Sequence, residues 1–378
     1  MAGRRKLRVG VLFGGRSGEH EISLRSALTV ISAIDRARYD VVPIGISRDG
    51  RWYLETDALK MLGAAAPRLA ALKRTGIAVS LLPYPDHRAL VAPANGRAAV
   101  RGGLDVIFPV LHGTFGEDGT VQGLLDLAGI PYVGAGVLGS AIGMDKDVQK
   151  RLLREAGLPV VRYMAITDAD YRDDPAAARR QAARLGWPVF VKPNALGSSI
   201  GVTRVTGPRG LARAIEEALR YDRKVLVEAA CEGRELECAV LGNQRPAASV
   251  VGEIVVRGAH RFYSYESKYV DEHGAAIEIP ARLPARAANR IRALAIRAFT
   301  ALELRGMARV DFLAKPDLRE IYVSEVNTIP GFTAISMYPK LWEASGLPLK
   351  GLLDRLIALA LEDHRARSRL KFTYQPRL

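Results

Sequence analysis

The sequence predicts an α/β fold that opens on a parallel sheet and continues into mixed α+β segments. Three observations predict it. Residues 7–14, LRVGVLFG, form an apolar run ending in glycine; residues 21–34, EISLRSALTVISAI, repeat apolar residues at helical spacing; residues 40–47, DVVPIGIS, are again strand-like. A strand, a helix and a second strand in that order imply a right-handed crossover and a parallel pair.

The remaining elements follow in order. Residues 56–103 are less regular and read as an insertion. Residues 104–111, LDVIFPVL, are a further strand, HGTFGEDG is a glycine-rich loop, and 120–128 return to helix, closing a first unit near Gly136. One helix is expected over 138–156, stopped by Gly157 and Pro159. Residues 187–240 alternate short β runs with one helix, LARAIEEALRY. Two β segments over 245–280 flank the long polar loop RFYSYESKYVDEHG, which has the character of a lid. A helix over 284–302 precedes two strands, GMARVDFLAK and EIYVSEVN; a last helix covers 349–364, and the basic tail HRARSRLKFTYQPRL reads as a solvated end.

Composition narrows the function. The chain has 378 residues, enough for two or three domains, with 48% hydrophobic and 25% charged residues, an ordinary globular balance. No apolar run is long enough to cross a membrane, and the basic start MAGRRKLRVGVLFGG runs into glycines too soon for a secretion signal. Two cysteines, Cys231 and Cys238, make neither a disulfide framework nor a four-ligand zinc site, so a cytoplasmic protein is expected. The net charge of +15 raises the question of nucleic acid. Its arginines are scattered over amphipathic helices, with no aromatic-interleaved basic block, and a basic surface also attracts small anions. A non-catalytic nucleic-acid binder is kept as a rival, and no nucleic acid or membrane is expected as partner.

The chemistry-bearing residues gather in three places. In FVKPNALGSSIGV, Lys192 ends a strand and Gly197-Ser198-Ser199 follow; small residues let a backbone approach an anion closely, beside a cation that suits phosphate. Lys146, early in a helix, is a second phosphate candidate. In the strand pair near the C-terminus, Glu325 and Asn327 share a face, and Asp311 on the partner strand faces them. Two carboxylates and an amide are hard oxygen donors that suit Mg²⁺, or Mn²⁺ in its place, with phosphate completing the sphere. Arg309 shares the face of Asp311 and needs an anion nearby; Gly331, in the TIPGF turn, can offer its N–H to the same oxyanion. Glu228 and Glu235 are carboxylates able to accept from an adenine amino group or a ribose hydroxyl. GGRSGEHEIS offers Glu19, His20 and Glu21 at a helix start, and a carboxylate there that is not needed for capping is able to bind a substrate ammonium. There is no GxxxxGK[ST] loop, and GGRSGEHEIS is a weak dinucleotide motif.

Together these segments resemble the D-alanine–D-alanine ligase family. GGRSGEHEIS, LHGTFGEDGTVQG, GMDK, VKPNALGSSIGV, EGRELECAVLG, YSYESKY, MARVDF and EVNTIPGFTAISMYPKLW occur in that family's order and cover nearly the whole chain. The resemblance implies a two-subdomain ATP-grasp fold behind the N-terminal α/β domain, with boundaries at 1–137, 138–230 and 231–378, the last carrying the lid loop and the metal site. It implies ATP-dependent ligation of two D-alanine molecules through an acyl phosphate, for peptidoglycan precursor synthesis, by a homodimer with ATP as co-substrate.

It also implies residue roles. Lys146, Lys192, Ser199, Glu228, Glu235 and Lys268 match nucleotide positions, and Asp311, Glu325 and Asn327 match Mg²⁺ ligands. Arg309 and Gly331 match the groups that stabilise the tetrahedral intermediate. Glu19 matches the residue holding the first ammonium; His112 and Ser336 match substrate-pocket positions. Ser198 and Tyr269 match a hydrogen-bonded pair that fastens the small-residue loop to the lid, and tyrosine at 269 accompanies D-alanine as second substrate. Ala229 and Ala230 depart from the longer polar residue common there. A D-alanine–D-lactate ligase, or another carboxylate–amine ligase of the ATP-grasp group, is the nearer rival.

Overall fold

The computed structural model describes residues 5–54, 76–85, 90–92, 99, 103–256 and 275–374. The first sheet contains β1 (Leu7–Gly14), β2 (Tyr39–Ile46), β3 (Trp52–Leu54), β4 (Ile77–Leu81), β5 (Leu90–Val91) and β6 (Val106–Val110), in the order β5-β4-β3-β2-β1-β6. Strand β1 pairs in parallel with β2 and β6, joined to β2 by the helix His20–Ala33, as the β-α-β reading predicts. The sheet is not parallel throughout. After Ile46 the chain folds back in a tight turn, with the Gly50 N–H donating to the Ser47 carbonyl at 2.9 Å, and β3, β4 and β5 extend the sheet antiparallel. A hairpin turn leaves no room for a crossover helix, so the stretch expected as an insertion supplies sheet edge instead.

The second sheet contains β7 (Tyr163–Thr167), β8 (Val189–Pro193), β9 (Thr203–Val205) and β10 (Lys224–Ala229), in the order β7-β10-β8-β9. The third contains β11 (Arg234–Gly242), β12 (Ala247–Val256), β13 (Ala275–Glu278), β14 (Gly306–Ala314) and β15 (Ile321–Asn327), in the order β13-β12-β11-β14-β15. Both are antiparallel. The helix Ala285–Ala301 buries Ile291, Leu294, Ala295, Ala298 and Phe299, the i, i+3, i+4, i+7 stripe of a core-facing helix, against the third sheet.

The C-terminal helices tie the third sheet to the first. Phe332, Tyr338, Leu352, Leu353 and Leu356 share one core with Val9 of β1 and Phe108 of β6. Phe332 meets Phe108 edge-on at 5.8 Å. That contact sets the end of β15 against the C-terminal end of β6, where the HGTFGEDG loop begins.

Three helical expectations change. The helix expected over 138–156 is two, Val137–Met144 and Lys146–Glu155, because the Asp145 carboxylate caps the second by accepting from the Val148 N–H at 2.9 Å. The last helix runs Leu349–Arg367, so the basic tail starts inside it; His364, Arg365 and Arg367 suit the negative end of a helix dipole. Two short helices, Asp168–Asp173 and Pro175–Ala183, were not expected. Their signals are the Thr167–Asp170 capping box and the Asp174-Pro175 start. Among the described residues, no helix is long and apolar enough to cross a membrane.

Candidate active site

A cavity of about 540 Å³ opens between the second and third sheets. Lys146, Lys192, Ser198, Ser199, Glu228, Glu235, Arg309, Asp311 and Glu325 line it together. Its volume is in the range of small-molecule sites.

One wall comes from β8, β10 and the helix Lys146–Glu155. Lys192 and Glu228 sit on adjacent strands whose register sets Glu228 opposite Phe190, so the two side chains meet on a cross-strand diagonal. The Lys192 Nζ lies 2.8 Å from one Glu228 oxygen, and the Lys150 Nζ lies 3.1 Å from the other. Lys150 is one helical turn beyond Lys146, on the same face, and also donates to the Ser324 carbonyl at 2.9 Å. Burial pushes the Glu228 carboxyl up, but the two ammonium groups outweigh it and hold it below the usual range. Burial lowers Lys150, and Glu228 offsets it only in part; at Lys192 burial is outweighed by Glu228 and Glu325, which hold its pKa above the ordinary value. Glu228, expected to accept from an adenine amino group or a ribose hydroxyl, has a lysine beside each of its oxygens. Lys150 was not singled out in the sequence; its signal was the i, i+4 spacing from Lys146 on a helix face that buries Gln149 and Leu153.

Lys146 Nζ donates to the Leu196 carbonyl at 2.7 Å and lies 3.5 Å from Glu325. It thereby anchors the start of the small-residue loop to the acidic strand pair.

The opposite wall is the pair β14–β15, with Asp311 facing Glu325 and Arg309 facing Asn327. Val310, Phe312 and Val326 are buried on the other face, as their alternation predicts. Arg309 binds Asp311 with two hydrogen bonds, 2.7 and 2.6 Å, and lies 2.9 Å from Glu237. Asn327 donates to Asp311 at 2.9 Å. Burial disfavours the guanidinium charge, yet Asp311 and Glu237 hold its pKa well above the ordinary value. Glu237 is a further residue the sequence reading passed over; it pairs across β11–β14 directly with Asp311.

Among the described residues, no three His, Cys, Asp or Glu side chains converge as a ready-made metal cage. Asp311, Glu325 and Asn327 form an oxygen donor set whose chemistry fits a hard divalent cation only if ligand oxygens complete it. Charge points the same way. Lys146, Lys150, Lys192 and Arg309 already face Glu228, Glu237, Asp311 and Glu325, so a triphosphate arriving in this cavity needs an added cation.

The third part is Glu19, just before the helix His20–Ala33. Its side chain makes no cap; it accepts from the Ser198 hydroxyl. The small-residue loop therefore closes on Glu19. A Cβ at Gly197 would lie 2.8 Å from the Glu19 carboxylate, and one at Gly113 would lie 2.9 Å from it, at a φ of +74°. A side chain at Gly197 would push the Glu19 carboxylate aside, and at Gly113 the positive φ strains any other residue as well. Ser198 and Ser199 have φ of 52° and 58°, the left-handed region that non-glycine residues rarely adopt.

Behind Glu19, Gly331 and Ser336 share a turn: Ser336 Oγ accepts from the Thr333 N–H at 3.0 Å, and a Cβ on Gly331 would lie 2.7 Å from it. His112 is buried beneath this turn. Its Nδ1 donates to the Ile329 carbonyl at 3.1 Å, and its Nε2 lies 3.2 Å from Ser26 Oγ. Burial lowers its pKa, so the ring is neutral, with the proton on Nδ1. Lys268 and Tyr269 lie outside the described residues, as does the polar loop read as a lid.

Models of the D-ala D-ala ligase N-terminus and C-terminus match residues 8–135 and 152–358. D-alanine–D-alanine ligase A of Chromobacterium violaceum is 50% identical over 362 residues, 95% of this chain and 96% of that protein. This chain belongs to the D-alanine–D-alanine ligase family. Among solved structures, the D-alanine–D-alanine ligase from Coxiella burnetii superposes with a TM-score of 0.81 at 38% identity, covering 97% of each chain. The VanG D-Ala:D-Ser ligase from Enterococcus faecalis superposes with a TM-score of 0.81 at 37% identity, covering 94% of this chain and 100% of that one. The family carries the ATP-grasp arrangement, with two antiparallel sheets enclosing the cavity.

Proposed function

We infer that this ligase joins two D-alanine molecules to D-alanyl-D-alanine at the expense of ATP, through an acyl phosphate, supplying peptidoglycan precursors. The observation that carries the reading is the contact of Ser198 with Glu19, which sets a carboxylate suited to a substrate ammonium at the edge of the cation-lined cavity.

In this reading the triphosphate lies along Lys146 and Lys192, with Ser199 at its flap and Glu235 toward the ribose. Asp311, Glu325 and Asn327 would hold Mg²⁺, which supplies charge neutralisation at the phosphates. Glu19 holds the first D-alanine by its ammonium, so that the D-alanine carboxylate attacks the γ-phosphorus, the bond to the β-phosphate oxygen breaks, and ADP leaves an acyl phosphate behind. Lys192 and Arg309 offset charge on the transferring phosphoryl group. The amine of the second D-alanine then attacks the acyl carbon. Arg309 and the Gly331 N–H hold the oxyanion, Ser336 meets the second carboxylate, and phosphate leaves. An acyl phosphate hydrolyses in water, so the small-residue loop must stay closed over it.

Phosphate release with ATP and Mg²⁺ tests this, with D-alanine, L-alanine or neither. Release only with D-alanine, with dipeptide formed, supports it; release that ignores D-alanine sinks it. Competition by D-lactate and D-serine separates it from ester-forming and D-serine-using ligases. A cytoplasmic homodimer belongs to the same reading, and light scattering on the purified protein tests the dimer.

A further inference from the structure

Glu117, in the HGTFGEDG loop, is a half-buried carboxyl that the proposed reaction does not use. Its Oε2 accepts from the Gly113 N–H at 2.8 Å, and its Oε1 accepts from the Ile329 N–H at 3.0 Å. The Ile329 carbonyl is held in turn by His112 Nδ1. Both polar groups of one residue, just past the end of β15, are therefore bound by side chains of the loop that follows β6. Three residues on, the Phe332 N–H donates to Ser26 Oγ at 3.2 Å. Ser26 then gives its own proton to His112 Nε2, because the Nδ1 proton is committed to a carbonyl that can only accept. The result is one connected set of hydrogen bonds in which both oxygens of Glu117 and both ring nitrogens of His112 have partners. It runs from the first sheet to residues 329–332, which include Gly331.

We propose that Glu117, with His112 and Ser26, is a positioning residue: it holds residues 329–332 so that the Gly331 N–H is in place when the second amine attacks. The proposal rests on the ligase reading above. Two features favour it over a purely structural contact. Only a carboxyl group offers two separate oxygens to two N–H groups on opposite sides; an amide of the same shape offers one. A carboxyl is also a costly choice here, since it is half-buried and close to a second carboxylate, Glu19, and both effects disfavour its charge. A packing role alone would be met by a side chain without that cost. Rigid placement matters most for an oxyanion donor, because its contribution depends on being in position before charge develops.

The test uses the full-length protein with ATP, Mg²⁺ and D-alanine, and reads ADP formed per dipeptide alongside kcat. The wild type should form one ADP per dipeptide. Glu117→Gln should lower kcat about 10- to 100-fold, with unchanged affinity for a non-hydrolysable ATP analogue and more than one ADP per dipeptide, because acyl phosphate lost to water accumulates ADP without product. Glu117→Asp, which keeps two oxygens on a shorter arm, should recover part of the loss. Should Glu117→Gln fail to fold, Ser26→Ala frees the same turn from its other arm and should raise the ADP ratio as well. A fully coupled Glu117→Gln, or an uncoupled one that has equally lost nucleotide affinity, overturns the proposal; so does a fully coupled Ser26→Ala. A wild type that forms no dipeptide overturns the ligase reading and this proposal with it, whereas a coupled wild type beside a coupled variant overturns the proposal alone.

Discussion

Glu228 and Lys192 form a buried ion pair at 2.8 Å across β8 and β10, and Glu228 holds Lys150 with its other oxygen. The lysine that ends the strand before the small-residue loop is thus aimed by a carboxylate before any phosphate arrives. Two ammonium groups share this anion in a place water scarcely reaches, with Glu325 adding a weaker attraction to each. Glu228→Gln should therefore destabilise the protein by about 3–5 kcal/mol, the usual cost of leaving a buried charge unpaired. Lys150→Met should do less, since the Lys192–Glu228 pair survives it. Urea unfolding of both variants decides; equal midpoints for Glu228→Gln and the wild type would refute the account.

Much of this arrangement was legible in the sequence, for definite reasons. Strand alternation around Asp311, Glu325 and Asn327 predicts which side chains share a face, and the β14–β15 register bears it out. The small-residue loop announces a close approach, and the structure supplies its object, the Glu19 carboxylate. What escaped notice shares one property. Lys150, Glu237 and Glu117 are charged residues that look solvated in a one-dimensional reading, and their burial is set by partners far along the chain. Glu117 meets Ile329 across a separation of 212 residues, which no local spacing reports. The antiparallel edge β3-β4-β5 was missed because short strands broken by turns lack the length that makes alternation visible.

The Glu117 carboxyl is raised from 4.5 to about 8, first by burial and then by Glu19, with the N–H groups of Gly113 and Ile329 and the Lys146 charge opposing. Between those two values the folded protein keeps a proton that the unfolded chain has released. Proton uptake by the folded state means stability falls as pH rises through this window. Glu117→Gln cannot ionise and lacks that slope. Unfolding free energies of the two proteins at several pH values from 5 to about 9 should converge, or cross, toward high pH. Parallel curves would show that Glu117 titrates normally.

Asp311 is bound twice by Arg309 and once by Asn327, so its carboxylate is the hub of the acidic wall. Asp311→Asn keeps the shape and removes the charge. Arg309 retains Glu237 as a counter-ion, so the fold should survive. Turnover should drop by about 10²-fold or more, in line with the loss of one preorganised electrostatic group, and half-maximal activity should need more Mg²⁺. A kcat measured across a Mg²⁺ titration checks both; wild-type Mg²⁺ dependence would remove Asp311 from the metal site.

Gly233 and Gly123 make the same substitution informative with opposite signs. Gly233 lies in the turn that leads into β11 and borders the cavity. A Cβ there would fall 2.0 Å from the Ala314 carbonyl oxygen and 2.9 Å from its carbon. Those are main-chain atoms of β14, held by the pairing of Arg234 with Ala314, so they cannot yield without breaking the register. Gly233→Ala should cost about 1–3 kcal/mol, as overpacking does, and should raise the KM for ATP because the cavity wall shifts. Gly123 sits inside the helix Thr120–Leu127 with nothing within 4 Å of its Cβ position. Gly123→Ala should stabilise by about 0.5–1 kcal/mol, by limiting the unfolded chain, and leave the KM for ATP alone. Thermal unfolding and ATP kinetics on both variants check the pair; a Gly233→Ala protein as stable as the wild type would mean that β11 and β14 are less tightly joined beside the site than their register requires.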